Sequence, residues 1–204
     1  ATTEHHSEET SAGIEISSNG TGPLSWIVGM NYFDQEVNYD FDLRIGAIGG
    51  GNVPASTGWG TYWLDTYGIF ASVDYELSDA WTISVGGRYT KEEKDIYWRP
   101  SSTEYAQNSR ITLAAALLPN EDGEEWSSFD PKVTLTYNFA DGGIAYATYS
   151  TGFKSGGYNA PTRQGGEALD PEELDMIELG YKADLTSSLR LTSSIFFYDY
   201  TGLQ

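Results

Sequence analysis

The side chains able to do chemistry in this sequence form three sets. The first is carboxylate: Glu121-Asp122-Gly123-Glu124-Glu125 and Asp170-Pro171-Glu172-Glu173. Such runs can hold Ca²⁺ through about six to eight oxygens, but neither has calcium-loop spacing, and both read as hydrated loop. The second, His5-His6, lies near one end of the sequence with no further ligands to complete a transition-metal sphere. The third joins rings to a guanidinium. Trp59, Tyr62, Trp63, Tyr97, Trp98, Arg99, Tyr105 and Trp126 fall in glycine- and acid-rich stretches. Aromatic rings and arginine give large contact areas at small entropic cost, which is the chemistry of ligand capture.

Catalysis finds no such support. There is no cysteine, and both histidines lie in the first six residues, so no nucleophile and base can be paired on a scaffold. Gly49-Gly50-Gly51-Asn52 lacks the Lys-Ser/Thr of a phosphate loop. Asn19-Gly20-Thr21 fits the glycosylation triplet, but Asn-Gly is also a strong hairpin signal and reads as a turn. The expectation is a protein that is not an enzyme and carries no metal or cofactor. With 11 basic and 30 acidic residues in 204, the net charge of −19 turns the long-range field against nucleic acid.

The elements that must position these residues are strands. Apolar residues alternate through Trp26, Val28, Met30, Tyr32, through Tyr67, Ile69, Ala71, Val73, Tyr75, and through Trp81, Ile83, Val85, Gly87, Tyr89. The same period of two recurs at Val133, Leu135, Tyr137, Phe139 and at Ile177, Leu179, Tyr181. Between them stand polar partners, among which Arg88, Lys132, Glu178, Lys182, Asp184 and Arg190 form a charged set expected on the opposite, lumen-facing side. The segment 143–153 is semi-apolar on both faces. Aromatic content of 14% and 23 glycines lean all-β, while a mean hydropathy of −0.41 suits a soluble sandwich and a membrane barrel equally. The longest apolar stretch, residues 111–118, is far short of the roughly 20 residues of a spanning helix.

The connectors decide between sandwich and barrel. Short turns at Asn19-Gly20-Thr21-Gly22, Leu77-Ser78-Asp79-Ala80, Ala140-Asp141-Gly142 and Thr186-Ser187-Ser188 alternate with long polar segments at about 40–63, 98–127 and 154–171. Short turns at one end and long loops at the other are the habit of outer-membrane barrels. Trp26, Trp81, Tyr137, Phe139 and Tyr67 lie near strand ends, where an aromatic girdle would rest at headgroup level. The predicted architecture is one all-β segment over 1–204. It is an antiparallel up-and-down meander of about eight strands forming a barrel wall, with residues 1–12 as a flexible or edge tail.

One stretch carries a family likeness. Tyr146-Ala147-Thr148-Tyr149-Ser150-Thr151-Gly152-Phe153-Lys154-Ser155-Gly156-Gly157-Tyr158-Asn159, then Leu169-Asp170-Pro171-Glu172-Glu173-Leu174 and Ile177-Glu178-Leu179-Gly180-Tyr181-Lys182, resemble the late barrel strands of TonB-dependent receptors. The likeness runs on through Phe196-Phe197-Tyr198-Asp199-Tyr200. It implies a barrel of about 22 strands, a plug domain not found in this sequence, an outer-membrane location, contact with lipid, and import of a scarce small molecule such as a ferric siderophore. It also implies energy from the TonB complex where the complete receptor is present, and makes these eight strands a piece of the receptor. Two other readings come from the free edges of an open sheet: a β-module that self-assembles by edge pairing into an extracellular or surface fibre, and a small closed barrel serving as an adhesin or anchor.

Overall fold

The computed structural model describes residues 2–46, 52–101, 120–158 and 168–203. Among the described residues eight strands occur: β1 (Thr2–Ser17), β2 (Leu24–Gly46), β3 (Asn52–Glu76), β4 (Trp81–Ser101), β5 (Asn120–Asn138), β6 (Ile144–Lys154), β7 (Glu172–Thr186) and β8 (Leu189–Thr201). They pair antiparallel in chain order within one sheet. At one end the chain turns back tightly. Leu77 N–H meets the Trp81 carbonyl at 2.8 Å and Phe139 N–H the Gly143 carbonyl at 2.8 Å, with Gly142 at φ 88° in the second turn. A side chain at that left-handed position would be strained, so glycine is required.

The register turns the period of two into continuous rows. Leu24, Tyr75, Ile83, Leu135, Ala147, Leu179 and Ile195 lie side by side across β2 to β8, and Trp26, Val73, Val85, Val133, Tyr149, Ile177 and Phe197 form the next row. These rows take the more exposed side of the sheet, for Val85 is 48% exposed, Ile177 53% and Leu179 50%, while Met176, Glu178 and Gly180 between the β7 members are less exposed. Among the described residues the buried hydrophobic set is only Ile96, Trp98 and Ala183. A water-soluble sheet that left such rows open would forfeit about 25 cal/mol for each Å² of apolar surface that a core could bury, so the apolar face needs lipid as its solvent.

Rings border this apolar band on both sides. Near the short turns, Trp81 and Tyr137 lie 4.7 Å apart, Tyr137 and Phe139 4.7 Å, and Phe139 and Tyr181 5.9 Å. At the other border Tyr32 and Tyr67 lie 5.1 Å apart. From Tyr75 to Tyr67 the strand advances about 27 Å, or about 21 Å along the membrane normal at a tilt near 40°, close to the apolar height of an outer-membrane wall.

Two expectations about the connectors need correction. Of the stretch 40–63, β2 takes residues to Gly46 and β3 begins at Asn52, and of 98–127, β4 runs to Ser101 while β5 starts at Asn120. Of the two alternatives for residues 1–12, a flexible or an edge tail, the chain takes the edge strand, paired with β2 from Thr2↔Asp42 onward. The reason is common to both connectors. Beyond the bilayer both faces of a strand meet water, so alternation fades although backbone pairing continues. The segment 154–171 does separate strands, β6 ending at Lys154 and β7 beginning at Glu172.

The apolar band yields a direct test. Leu135→Arg in the folded, lipid-embedded protein should cost about 2–4 kcal/mol, and Thr136→Arg on the opposite face much less, as measured by urea unfolding in lipid vesicles.

Candidate functional site

The face opposite the lipid rows is polar, and its character changes along its length. Near the short turns it is a ladder of hydroxyls and charges. The Thr134 and Thr148 hydroxyls meet at 2.9 Å, Tyr146 donates to Glu178 Oε1 at 2.7 Å, and Lys182 Nζ lies 5.4 Å from the centre of the Tyr146 ring. Arg190 donates twice to Asp184, at 2.6 and 2.9 Å. In the middle, Arg88 Nε donates to Thr90 Oγ1 and its Nη2 to Asn31 Oδ1, both at 2.9 Å. The guanidinium reaches Asn31 by crossing over Gly68, where a Cβ would come 2.7 Å from Arg88 Cζ. Arg88 and Lys132, with Asp74, Asp130 and Ser150, line a concavity of about 590 Å³. All six members of the charged set therefore occupy polar-face positions of the register.

Beyond the apolar band the same face becomes aromatic. Tyr39 stacks on Trp98 with ring centres 5.6 Å apart and 17° between planes, and Trp126 meets Tyr158 edge-on at 6.5 Å. Lys94 stands at the second of these pairs. Its ammonium donates to Ser155 Oγ at 2.5 Å and to the Gly156 carbonyl at 2.6 Å, lies 3.4 Å from Glu92 Oε2, and stands 5.5 Å from the Trp126 ring centre. Ser155 in turn donates to Glu92. This fastens the segment after β6 onto β4, more than 60 positions earlier in the chain.

The local sequence explains how that segment comes to lie there. Pairing of β5 with β6 stops at Lys132↔Ser150, whereas β5 stays paired with β4 as far as Trp98↔Asn120. Pro131 stands at the point of divergence and has no N–H to give a neighbouring strand. Beyond it, β6 leaves β5, and Ser155-Gly156-Gly157-Tyr158 folds over the gap. Glycine at 156 permits the approach, since a Cβ there would lie 2.7 Å from the Trp126 ring and collide with the Leu169 carbonyl. Leu169 N–H closes the segment on itself by donating to the Gly157 carbonyl at 2.7 Å.

Strand alternation divides the eight ligand-capture candidates. Tyr62, Trp98 and Trp126 share the polar face with Lys94. Trp59, Trp63 and Tyr97 occupy the opposite, outward face, where the Trp59 and Tyr97 rings lie 5.2 Å apart. Arg99 stands opposite Trp59 in the register, and Tyr105 lies outside the described residues. The polar-face cluster also brings in Tyr39, Glu92, Lys94 and Tyr158, which residue type alone did not single out. The signal that finds Tyr39, Glu92 and Lys94 is parity, since each occupies an even-numbered or register-matched position on the side of its strand that carries Tyr62, Trp98 and Trp126.

The Tyr39 and Tyr158 hydroxyls are buried without a hydrogen-bond partner among the described residues. Burial, then the carboxylates of Asp122, Glu124 and Asp95, pushes the Tyr158 phenol up to about 12. Burial, then Glu92, takes Tyr62 to about 12 as well. The arrangement offers stacking surfaces, phenol donors and one ammonium, with carboxylates beside them. It can grip a flat or bulky small molecule but has no group placed to break a bond.

A one-layer wall with a lipid-facing band, a polar inner side and an aromatic far end defines an outer-membrane barrel segment. The chain belongs to the TonB-dependent receptor-like β-barrel family, whose model matches residues 2–204. The family lies in the outer membrane and consists of transport receptors, not enzymes. No curated protein matches the sequence. Among solved structures, the ferric yersiniabactin uptake receptor FyuA from Yersinia pestis matches with TM-score 0.82 at 14% identity, over 99% of this chain and 30% of that one. The ferric-catecholate import receptor Fiu from E. coli K12 matches at 0.67 and 13%, over 97% and 32%. The siderophore receptor PiuA from Acinetobacter baumannii matches at 0.65 and 18%, over 95% and 32%. The chain thus spans about a third of the length of each of these receptors.

Two outcomes follow from the cluster. Lys94→Met should cost about 2 kcal/mol locally and speed amide hydrogen exchange in Ser155–Tyr158 while leaving β3 protected. Tyr62 and Tyr158 hold their protons more tightly folded than unfolded, where phenols titrate near 10. The stability this contributes is full below about pH 10 and is lost as pH rises toward 12. Tyrosinate absorbance should therefore show a late-ionising fraction that shrinks in Tyr158→Phe.

Proposed function

We propose that this wall segment serves in a receptor that draws a scarce small molecule, such as a ferric siderophore, across the outer membrane. The TonB complex supplies the energy. The observation that carries the reading is a run of aromatic side chains along one face, the Tyr39–Trp98 pair, Tyr62, and the Trp126–Tyr158 pair beside Lys94, placed beyond the lipid band on the side of the wall away from lipid. A ligand arriving from outside meets these rings before the charged stretch marked by Arg88 and Lys132. Tyr62 and Trp126, both half-buried, make the ligand contacts, with the buried Trp98 backing them. The charged set lower on the same face lines the transport path. The uptake and import roles named for FyuA and Fiu, and the siderophore receptor named for PiuA, support the same reading.

The test uses the complete receptor that contains this wall. Trp98→Ala and Trp126→Ala should each weaken binding of a ferric siderophore about tenfold or more, read by quenching of tryptophan emission, and should lower TonB-dependent uptake of radioactive iron. Unchanged affinity in both variants, or uptake that does not need TonB, would overturn the proposal.

A further inference from the structure

The outward face carries a second group of rings that neither lipid contact nor ligand import uses. Above Tyr67 the lipid-side register passes first through Asp34, Asp65, Glu93 and Glu125, with Lys91 bonded to Glu93 at 2.6 Å and to Glu125 at 2.9 Å. This charged row ends the apolar band. Beyond it come Trp63, 36% exposed, and Trp59, 44% exposed, with Tyr97 packed beside Trp59. They stand about 10–20 Å above the band along the membrane normal, at heights no acyl chain reaches.

The rings are held in place rather than loosely displayed. Trp63 Nε1 donates to Glu36 Oε2 at 3.2 Å, Asn38 donates to Glu36 Oε1 at 2.8 Å, and Thr61 donates to Asn38 Oδ1 at 2.7 Å. Thr61 is only 7% exposed, so the inner end of this line of bonds is buried while the Trp63–Glu36 end is open to solvent. Beside it lies an open depression of about 510 Å³ walled by Trp63, Asp95, Glu121 and Gly123, with Ile96 and Asp122 between them. An indole face beside several carboxylates has a particular affinity. The ring stacks on the C–H face of a pyranose, and carboxylate oxygens accept its hydroxyl protons. The same carboxylates repel phosphate and other anions.

We propose that this patch, centred on Trp59, Trp63 and Asp95, binds an uncharged saccharide, and that its source is the lipid-linked surface glycan of the membrane in which the wall sits. A glycan rising from the outer leaflet runs along the outside of the wall, past the height of these rings. The charged row beneath them keeps the acyl chains and the rings apart. The inference stands apart from the transported ligand, because these side chains lie across the sheet from the polar-face cluster.

The test takes the complete receptor in nanodiscs. The probes are two oligosaccharides released by mild acid from lipopolysaccharide: the neutral outer portion and the phosphorylated inner portion. The neutral probe should quench tryptophan emission and bind at least tenfold more tightly than the phosphorylated one. Trp59→Ala with Trp63→Ala should lower that affinity at least tenfold, Trp63→Phe should keep most of it, and Asp95→Asn should lower it several-fold. Heat-modifiable migration on a gel confirms that each variant is folded. Equal binding by the double alanine variant, preference for the phosphorylated probe, or binding only of glycan still attached to its lipid would each overturn the proposal. So would equal affinity for an unrelated neutral glucan taken from the medium, since the source would then not be the membrane's own glycan.

Discussion

A strand that crosses a bilayer must give every backbone N–H and C=O to its neighbours, because hydrocarbon offers no partner. In this wall that demand fixes the register of eight strands, and the register fixes everything else. Once Leu24 is opposite Tyr75 and Tyr75 opposite Ile83, one row of lipid-facing side chains is determined across the sheet, and so is the polar row beside it. A slip of one residue would place Arg88 and Lys132 in lipid and turn Val85 and Val133 toward water. Two long apolar rows therefore act as a selection for one register among many.

Past the band the same hydrogen bonds continue without the solvent that made alternation visible. This is why the lipid-crossing part of the fold was legible from residue pattern and the rest was not. Tyr67 to Tyr75 announces itself, since every second residue is apolar. In β2 the apolar side chains change sides after Tyr32-Phe33: Val37 and Tyr39 take the parity opposite to Met30 and Tyr32, and Asp34, Glu36 and Asp40 take the lipid-side parity, so the apolar period that marks the crossing breaks there although the strand runs on. The candidate site suffered from the same loss. Trp59, Tyr62, Trp63, Tyr97, Trp98 and Trp126 are alike in residue type, and only their strand positions sort them into two groups on opposite sides of the sheet. Lys94 was invisible for another reason: its partners Ser155 and Gly156 come from a distant segment whose path depends on where β6 leaves β5.

That departure links wall to site. A proline within β5 removes one donor at position 131, the β5–β6 ladder ends beside it, and the freed chain carries Ser155 and Tyr158 toward Lys94. The ammonium then replaces strand pairing as the tie between the two sides of the gap. It does so with short bonds to a hydroxyl and a carbonyl, both in surroundings from which water is largely excluded. Charge-assisted bonds of this kind are worth more than neutral ones, and the Trp126 ring beside the ammonium adds a further attraction. The arrangement is nonetheless a side-chain tie and not a ladder of backbone bonds, so its contacts are independent of the register that holds the lipid band.

The two faces of β3 and β4 extend the same logic. One sheet thickness separates Tyr62 and Trp98 from Trp63 and Tyr97, and each group belongs to strands whose spacing is set deep in the bilayer. A change of one outward ring removes contacts on that side while leaving backbone pairing, and with it the inward ring positions, in place. The inward set is more constrained, since Ile96 and Trp98 are buried and Gly60, opposite Trp98 in the register, leaves room for its ring. Period two thus lets one pair of strands present unrelated chemistry to two compartments, with the shared backbone serving both and the side chains of each answerable only to the solvent they face.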